Sequence, residues 1–166
     1  MEPEPWLRGP IKGVHPLVAP LFFSFSQVRE DLAKHAGGLS TEEAWQPAGP
    51  NPSLGFQLRH MAGSVDRLAT YLTGGDLSKE QLDALRAEPE PGAALADLLA
   101  TLDKTLSRVE EHLKALDPGK LYEPRFVGRK RLPTSVIGLL VHIAEHTQRH
   151  LGQAINTAKW VRSQRR

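Results

Sequence analysis

Four stretches of the chain repeat their apolar residues three and four apart, the spacing that lines up one face of an α-helix. The first covers about residues 16–35 with Val18, Leu21, Phe25, Val28 and Leu32. Gly37-Gly38 ends it, because glycine tolerates the left-handed backbone found at helix ends. The second starts after the capping residue Ser53 and carries Leu54, Leu58, Met61, Val65, Leu68 and Leu72 before Gly74-Gly75. The third, about residues 93–116, has an unbroken stripe of Leu95, Leu98, Leu102, Leu106, Val109, Leu113 and Leu116, closed by Asp117-Pro118-Gly119. The fourth, about residues 134–161, reads Val136, Leu139, Ile143, His146, His150, Ala154, Ala158 and Val161. Shorter helices are signalled by Ser40-Thr41-Glu42-Glu43 and Ser78-Lys79-Glu80-Gln81, where cap hydroxyl and third-position side chain satisfy each other's backbone amides. Residues 120–132 read as a small hairpin or an irregular loop, and residues 1–14 as an irregular arm. The pattern predicts one all-α domain over residues 1–166, a four-helix bundle with short connecting helices.

Composition narrows the function classes. Hydrophobic residues make up 40% and charged residues 24%, ordinary for a globular protein. The net charge is +2. Basic clusters at Arg129–Arg131 and among Lys159, Arg162, Arg165 and Arg166 carry no recognisable nucleic-acid reading motif, so no nucleic-acid partner is expected. No apolar run approaches the ~18 residues of a membrane span. The opening Met-Glu-Pro-Glu-Pro does not fit a secretory signal, so a cytoplasmic protein is expected. The chain has no cysteine, which removes disulfides, thiolate metal sites and a cysteine nucleophile. Any metal site must use His, Asp or Glu.

The seven histidines then become the main candidates. His142, His146 and His150 follow one another at intervals of four, one helical turn apart. Neighbours so spaced are rotated by only about 40° and can direct two imidazoles at one point. With Ile143 as stripe centre and roughly 100° per residue, His146 and His150 fall within about 60° of it and His142 about 100° away. The pair therefore points inward, where each ring needs a polar partner, and a shared metal ion is the simplest one. The competing reading is two core histidines held by hydrogen bonds. His142-Ile143-Ala144-Glu145-His146 also fits the pattern of inverted zinc peptidases, but these need a downstream acidic ligand and residues 147–166 contain none. His60 is the best third candidate, although the wheel sets it roughly 120° off its own stripe, exposed or at a helix–helix flank. His15, His35 and His112 read as surface residues.

These residues resemble a known pattern. Leu140-Val141-His142-Ile143-Ala144-Glu145-His146-Thr147-Gln148-Arg149-His150-Leu151-Gly152-Gln153 is similar to the last-helix signature of the DinB/YfiT-like superfamily, His-x-x-x-His-x-Gly-Gln. Ser53-Leu54-Gly55-Phe56 followed by His60 resembles that family's second helix, and Thr41-Glu42-Glu43-Ala44-Trp45 its acidic, Trp-containing approach. The resemblance implies an up-down-down-up bundle and a metal triad of His60, His146 and His150. It also implies a pocket or supporting role for His142 and Gln153. Leu151 departs from the pattern, standing where an arginine is common.

Three neutral imidazoles leave metal positions open, as in catalytic sites. Zinc and nickel come first as the metal, with iron also compatible. Asp66, Glu145 and Gln153 are the polar candidates for acid, base or orienting group, with Glu145 placed beside the ligands. The family implies a small-molecule substrate and chemistry on low-molecular-weight thiols such as bacillithiol or mycothiol. Metal-dependent hydrolysis is the alternative, and a non-catalytic metal-binding stress-response protein a third. The resemblance also implies a homodimer.

Overall fold

In the computed structural model, which describes residues 2–165, the chain is built from four long helices, as the stripes predict. They are α1 (Ala19–Ala36), α3 (Leu54–Leu72), α5 (Leu95–Lys114) and α6 (Val136–Ser163), joined by the short α2 (Thr41–Trp45) and α4 (Lys79–Ala87). Both predicted capping boxes form. Ser40 accepts from Glu43 N while the Glu43 carboxylate accepts from Ser40 N, and Ser78 and Gln81 do the same at α4. Ser53 caps α3 by accepting from Phe56 N at 3.2 Å.

Residues before α6 settle the hairpin alternative. Strands β1 (Pro124–Val127) and β2 (Leu132–Ser135) pair antiparallel, with Phe126 opposite Pro133. Gly128, at φ 71°, and Arg131, at φ 47°, close the turn. Thr134 and Ser135 are thus strand residues, and α6 starts at Val136, the first residue of its stripe, rather than at about residue 134. Ser135 caps it by accepting from Gly138 N at 3.1 Å.

Hydrogen bonds between distant residues define the helix directions. Arg162 of α6 donates to the carbonyls of His35 and Gly37, so α1 and α6 end at the same pole. The chain turns there through α2 and descends α3. At the far pole Arg125 donates to Leu72 O at 2.7 Å, holding β1 against the end of α3. The segment containing α4 then climbs back. Leu95 N donates to Thr41 Oγ1 and Trp45 Nε1 to Ala93 O, placing the start of α5 beside α2. Hence α5 runs parallel to α3, and α6 rises antiparallel to both: up, down, down, up.

The core runs through the contact of all four helices, with Phe25, Val28, Leu58, Met61, Val65, Leu106 and Ile143 almost completely buried. Each large aliphatic side chain so buried contributes roughly 1.5–3 kcal/mol. The N-terminal arm is tied down too. Its single 3-10 turn, Pro5–Leu7, precedes Arg8, which makes a two-pronged pair with Glu30 of α1 at 2.6 and 2.9 Å. Among the described residues no helix is long and apolar enough to cross a membrane.

Candidate metal centre

The antiparallel packing of α3 on α6 sets the register of the candidate site. Thr157 donates to Pro52 O, and Gln57 meets His150 two turns further on. The next turn brings His60 of α3 against His146 and His150 of α6. Ring centroids are 5.3 Å apart for His60–His146, 4.3 Å for His60–His150 and 4.5 Å for His146–His150. One nitrogen from each lies within 4.8 Å of the other two, an arrangement that could hold a metal ion.

The cluster sits at the flank of the α3–α6 contact and is half-buried, whereas the wheel centred on Ile143 points His146 and His150 into the core. The difference comes from Thr147 and Leu151, which the apolar stripe omits or undervalues. Both are almost fully buried. Thr147 is tolerated there because its hydroxyl donates to Ile143 O at 2.6 Å, leaving no unsatisfied donor. The true centre of the buried face therefore turns toward Leu140, Thr147 and Leu151, and the histidines move to its edge. His60 also occupies a flank, its side chain 20% exposed, as its wheel position predicts.

Two of the rings have their outer nitrogens already engaged. Nδ1 of His60 lies 2.8 Å from Glu88 Oε2, and Nδ1 of His150 lies 2.8 Å from Gln57 Oε1. Both partners are buried, Gln57 to 1% exposure. An ionised carboxylate only accepts, so His60 donates through Nδ1, the tautomer that in a neutral ring leaves the lone pair on Nε2. Such outer hydrogen bonds are the usual support of histidine ligands. His146 has a buried Nδ1 without a partner among the described residues. An unpaired buried nitrogen is costly unless something absent from the protein chain satisfies it. The donor set and this orphaned atom fit a divalent metal.

Electrostatics act in the same direction. Burial, reinforced by His150, His60, His142 and Arg149, pushes His146 down to about 4. His150 is lowered by burial, then by His60 and Arg149, against the opposing influence of Gln153 and Glu88. Both rings are thus neutral near pH 7, with lone pairs available. Burial raises the Glu88 carboxyl, but hydrogen bonding to His60 and the Arg67 guanidinium outweigh it and the net shift is downward.

The remaining candidates are placed less centrally. His142 is exposed, 5.4 Å from the His146 ring, with Nδ1 2.7 Å from Glu145 Oε1. Glu145 is exposed as well and also pairs with Arg149. Gln153 is exposed beside His150. Asp66 lies elsewhere, accepting from Gln81 at 2.6 Å and from Arg108, between α3, α4 and α5. Phe56 stacks on His60 at 5.5 Å and forms one wall.

Sequence reasoning missed Glu88, Arg67 and Gln57. Glu88 stands before Pro89-Glu90-Pro91, which reads as linker, and only the return through α4 brings it to His60. Gln57 left a legible signal, being a polar residue next to Leu58 on the apolar side of α3.

Comparison with solved structures places the bundle among known folds. A conserved protein from Enterococcus faecalis superimposes with a TM-score of 0.66 at 19% identity, covering 89% of this chain and 96% of that one. YfiT from Bacillus subtilis, described as a probable metal-dependent hydrolase with an unusual four-helix bundle topology, does so with a TM-score of 0.66 at 13% identity and 91% coverage of each chain. Nothing among curated proteins matches the sequence. The family model of the DinB superfamily matches residues 24–154, most of the bundle and all three clustered histidines, and the chain therefore belongs to the DinB superfamily.

Proposed function

We propose that His60, His146 and His150 hold one divalent metal ion and that the protein is a metal-dependent enzyme acting on a small molecule. The observation that carries this is the convergence of three imidazole nitrogens within 4.8 Å at a site reachable from solvent. Among the described residues no fourth His, Asp or Glu joins the group, which favours an open coordination position over a sealed structural site. A metal bound there supplies Lewis-acid chemistry, strengthening the acidity of a coordinated water or thiol.

Transfer to or from a low-molecular-weight thiol is the preferred reaction class. Glu88, which touches His60, and Glu145, which touches His142, are each committed to an arginine. Neither carboxylate is then free as the general base that water activation calls for. A coordinated thiol, with a pKa of about 8.5 even when free, gives its proton to solvent more readily than a coordinated water does. Hydrolysis is the second reading, favoured by the description of the YfiT likeness. Zinc and nickel are the first choices for the ion, since three imidazoles suit both.

Elemental analysis of untagged protein tests the site: one equivalent of metal is expected for wild type and none for His146→Ala. One equivalent in that variant sinks the assignment. Incubating loaded protein with a small thiol and an electrophile, and following free thiol, separates the reactions. Thiol loss accelerated by wild type but not by His146→Ala supports transfer; ester cleavage without thiol loss supports hydrolysis.

A further inference from the structure

We propose that Glu88, clamped by Arg67, is the positioning residue of the histidine cluster: its carboxylate holds the Nδ1 proton of His60 and so presents Nε2 to the metal. This inference rests on the metal reading above. Each carboxylate oxygen faces one partner, the first in hydrogen-bond geometry and the second by charge alone. Oε2 faces His60 Nδ1 at 2.8 Å, and Oε1 faces Arg67 Nη1 at 2.8 Å as an ion pair. The side chains of Glu88 and Arg67 are only 6% and 11% exposed. Turning the carboxylate away to bind a metal directly would leave the guanidinium buried and unpaired, which is strongly unfavourable.

The surrounding chain is shaped around this pair. Arg59 donates to the carbonyls of Ala87, at 2.8 Å, and Glu90, fixing the backbone on both sides of Glu88. Gly63 lies one turn after His60 and one turn before Arg67 on α3. A Cβ at that position would sit 2.6 Å from both Arg67 Nη1 and Glu88 Oε1. The helix face between the histidine and the arginine is therefore left bare where the ion pair crosses it. A buried ion pair is in itself weak evidence for stability. Fixing the tautomer and the ring plane of His60 is a task that a neutral, apolar contact at this place could not perform.

A plain staple between α4 and α3 would use the same residues, so the test must read His60 itself. In ¹⁵N NMR of the metal-free wild type, with the His60 signals assigned by comparison with His60→Gln, the Nδ1-protonated tautomer is expected to dominate. Zinc affinity is then measured against a competing chelator for wild type, Glu88→Gln and Glu88→Ala, with folding checked by circular dichroism. Glu88→Ala should bind zinc roughly 10–100-fold more weakly. Glu88→Gln, whose amide oxygen still accepts from Nδ1, should fall between the two. Nε2-protonated His60 in the wild type, or unchanged affinity in Glu88→Ala, overturns the proposal. Affinity as low as that of His60→Ala does so too, by making Glu88 a ligand. A wild type that takes up no zinc sinks the metal reading, whereas the tautomer in the metal-free chain decides the role of Glu88 by itself.

Discussion

Gly55 and Gly63 occupy the same helix, α3, yet the surroundings give them opposite meanings. A Cβ on Gly55 would meet the Trp45 indole at 2.7 Å, and that ring is held in place by its hydrogen bond to Ala93 O and by Arg59 over its face. Replacing a helical glycine by alanine gains about 1 kcal/mol of propensity. Overpacking against a fixed ring costs about 1–3 kcal/mol, so the clash wins. Gly55→Ala should lower the urea midpoint. At Gly63 the atoms met are the far ends of two side chains rather than a fixed ring, so Arg67 and Glu88 can give way together with their ion pair kept. Gly63→Ala should melt close to wild type while binding zinc more weakly, because the shift moves Glu88 off His60. Calorimetry and chelator competition on both variants check the contrast. Gln57→Leu belongs with Gly63→Ala: it leaves Nδ1 of His150 without its acceptor and should weaken metal binding roughly 10–100-fold.

The connecting elements do more than close loops. The short α2 begins at the Ser40 capping box, and Glu43 of that box also accepts from Arg165 at 2.6 and 2.7 Å. It thereby joins the chain after α1 to the end of α6. The Arg165 guanidinium, then the Ser40 amide, hold the Glu43 carboxyl at about 2, against an ordinary 4.5. A carboxylate with a depressed folded pKa stabilises the protein above its unfolded value, and that contribution is lost as pH falls through the folded value. The melting temperatures of wild type and Arg165→Gln should therefore differ at neutral pH, with the gap closing as pH falls from 4.5 toward 2. A gap that persists at the acid end would show that Arg165 acts through other contacts, such as its bond to Gly38 O. The segment after α4 has the larger functional weight, because it delivers Glu88 to the cluster from a stretch that resembles linker.

For the whole molecule, the histidine cluster links α3 to α6, and a metal there should stabilise the fold by mass action. Free metal at 100-fold over its dissociation constant adds about 2.7 kcal/mol. In a chain of this size each 1 kcal/mol moves the melting temperature by about 2–4 °C. Zinc-loaded wild type should thus melt roughly 5–11 °C above the chelator-treated protein. His146→Ala should show no such difference. The bundle itself is shared with proteins of low identity, and a fold does not specify a reaction, so the chemistry must be argued from the cluster. The sequence by itself determined what depends on neighbours along one helix. The four stripes, the serine caps and the meeting of His146 with His150 all follow from a helical period of about 3.6 residues. Residues 120–132 left hairpin and loop open, because a strand pair is decided by what it packs on. Tertiary structure alone decided that the pair sits at a flank, since Thr147 hides its hydroxyl on the Ile143 carbonyl and turns the buried face toward Leu151. It also decided that His60 faces the pair, through the antiparallel register of α3 on α6. Above all it brought in Gln57 and Glu88, whose roles arise from contacts across the bundle that no periodicity along the chain encodes.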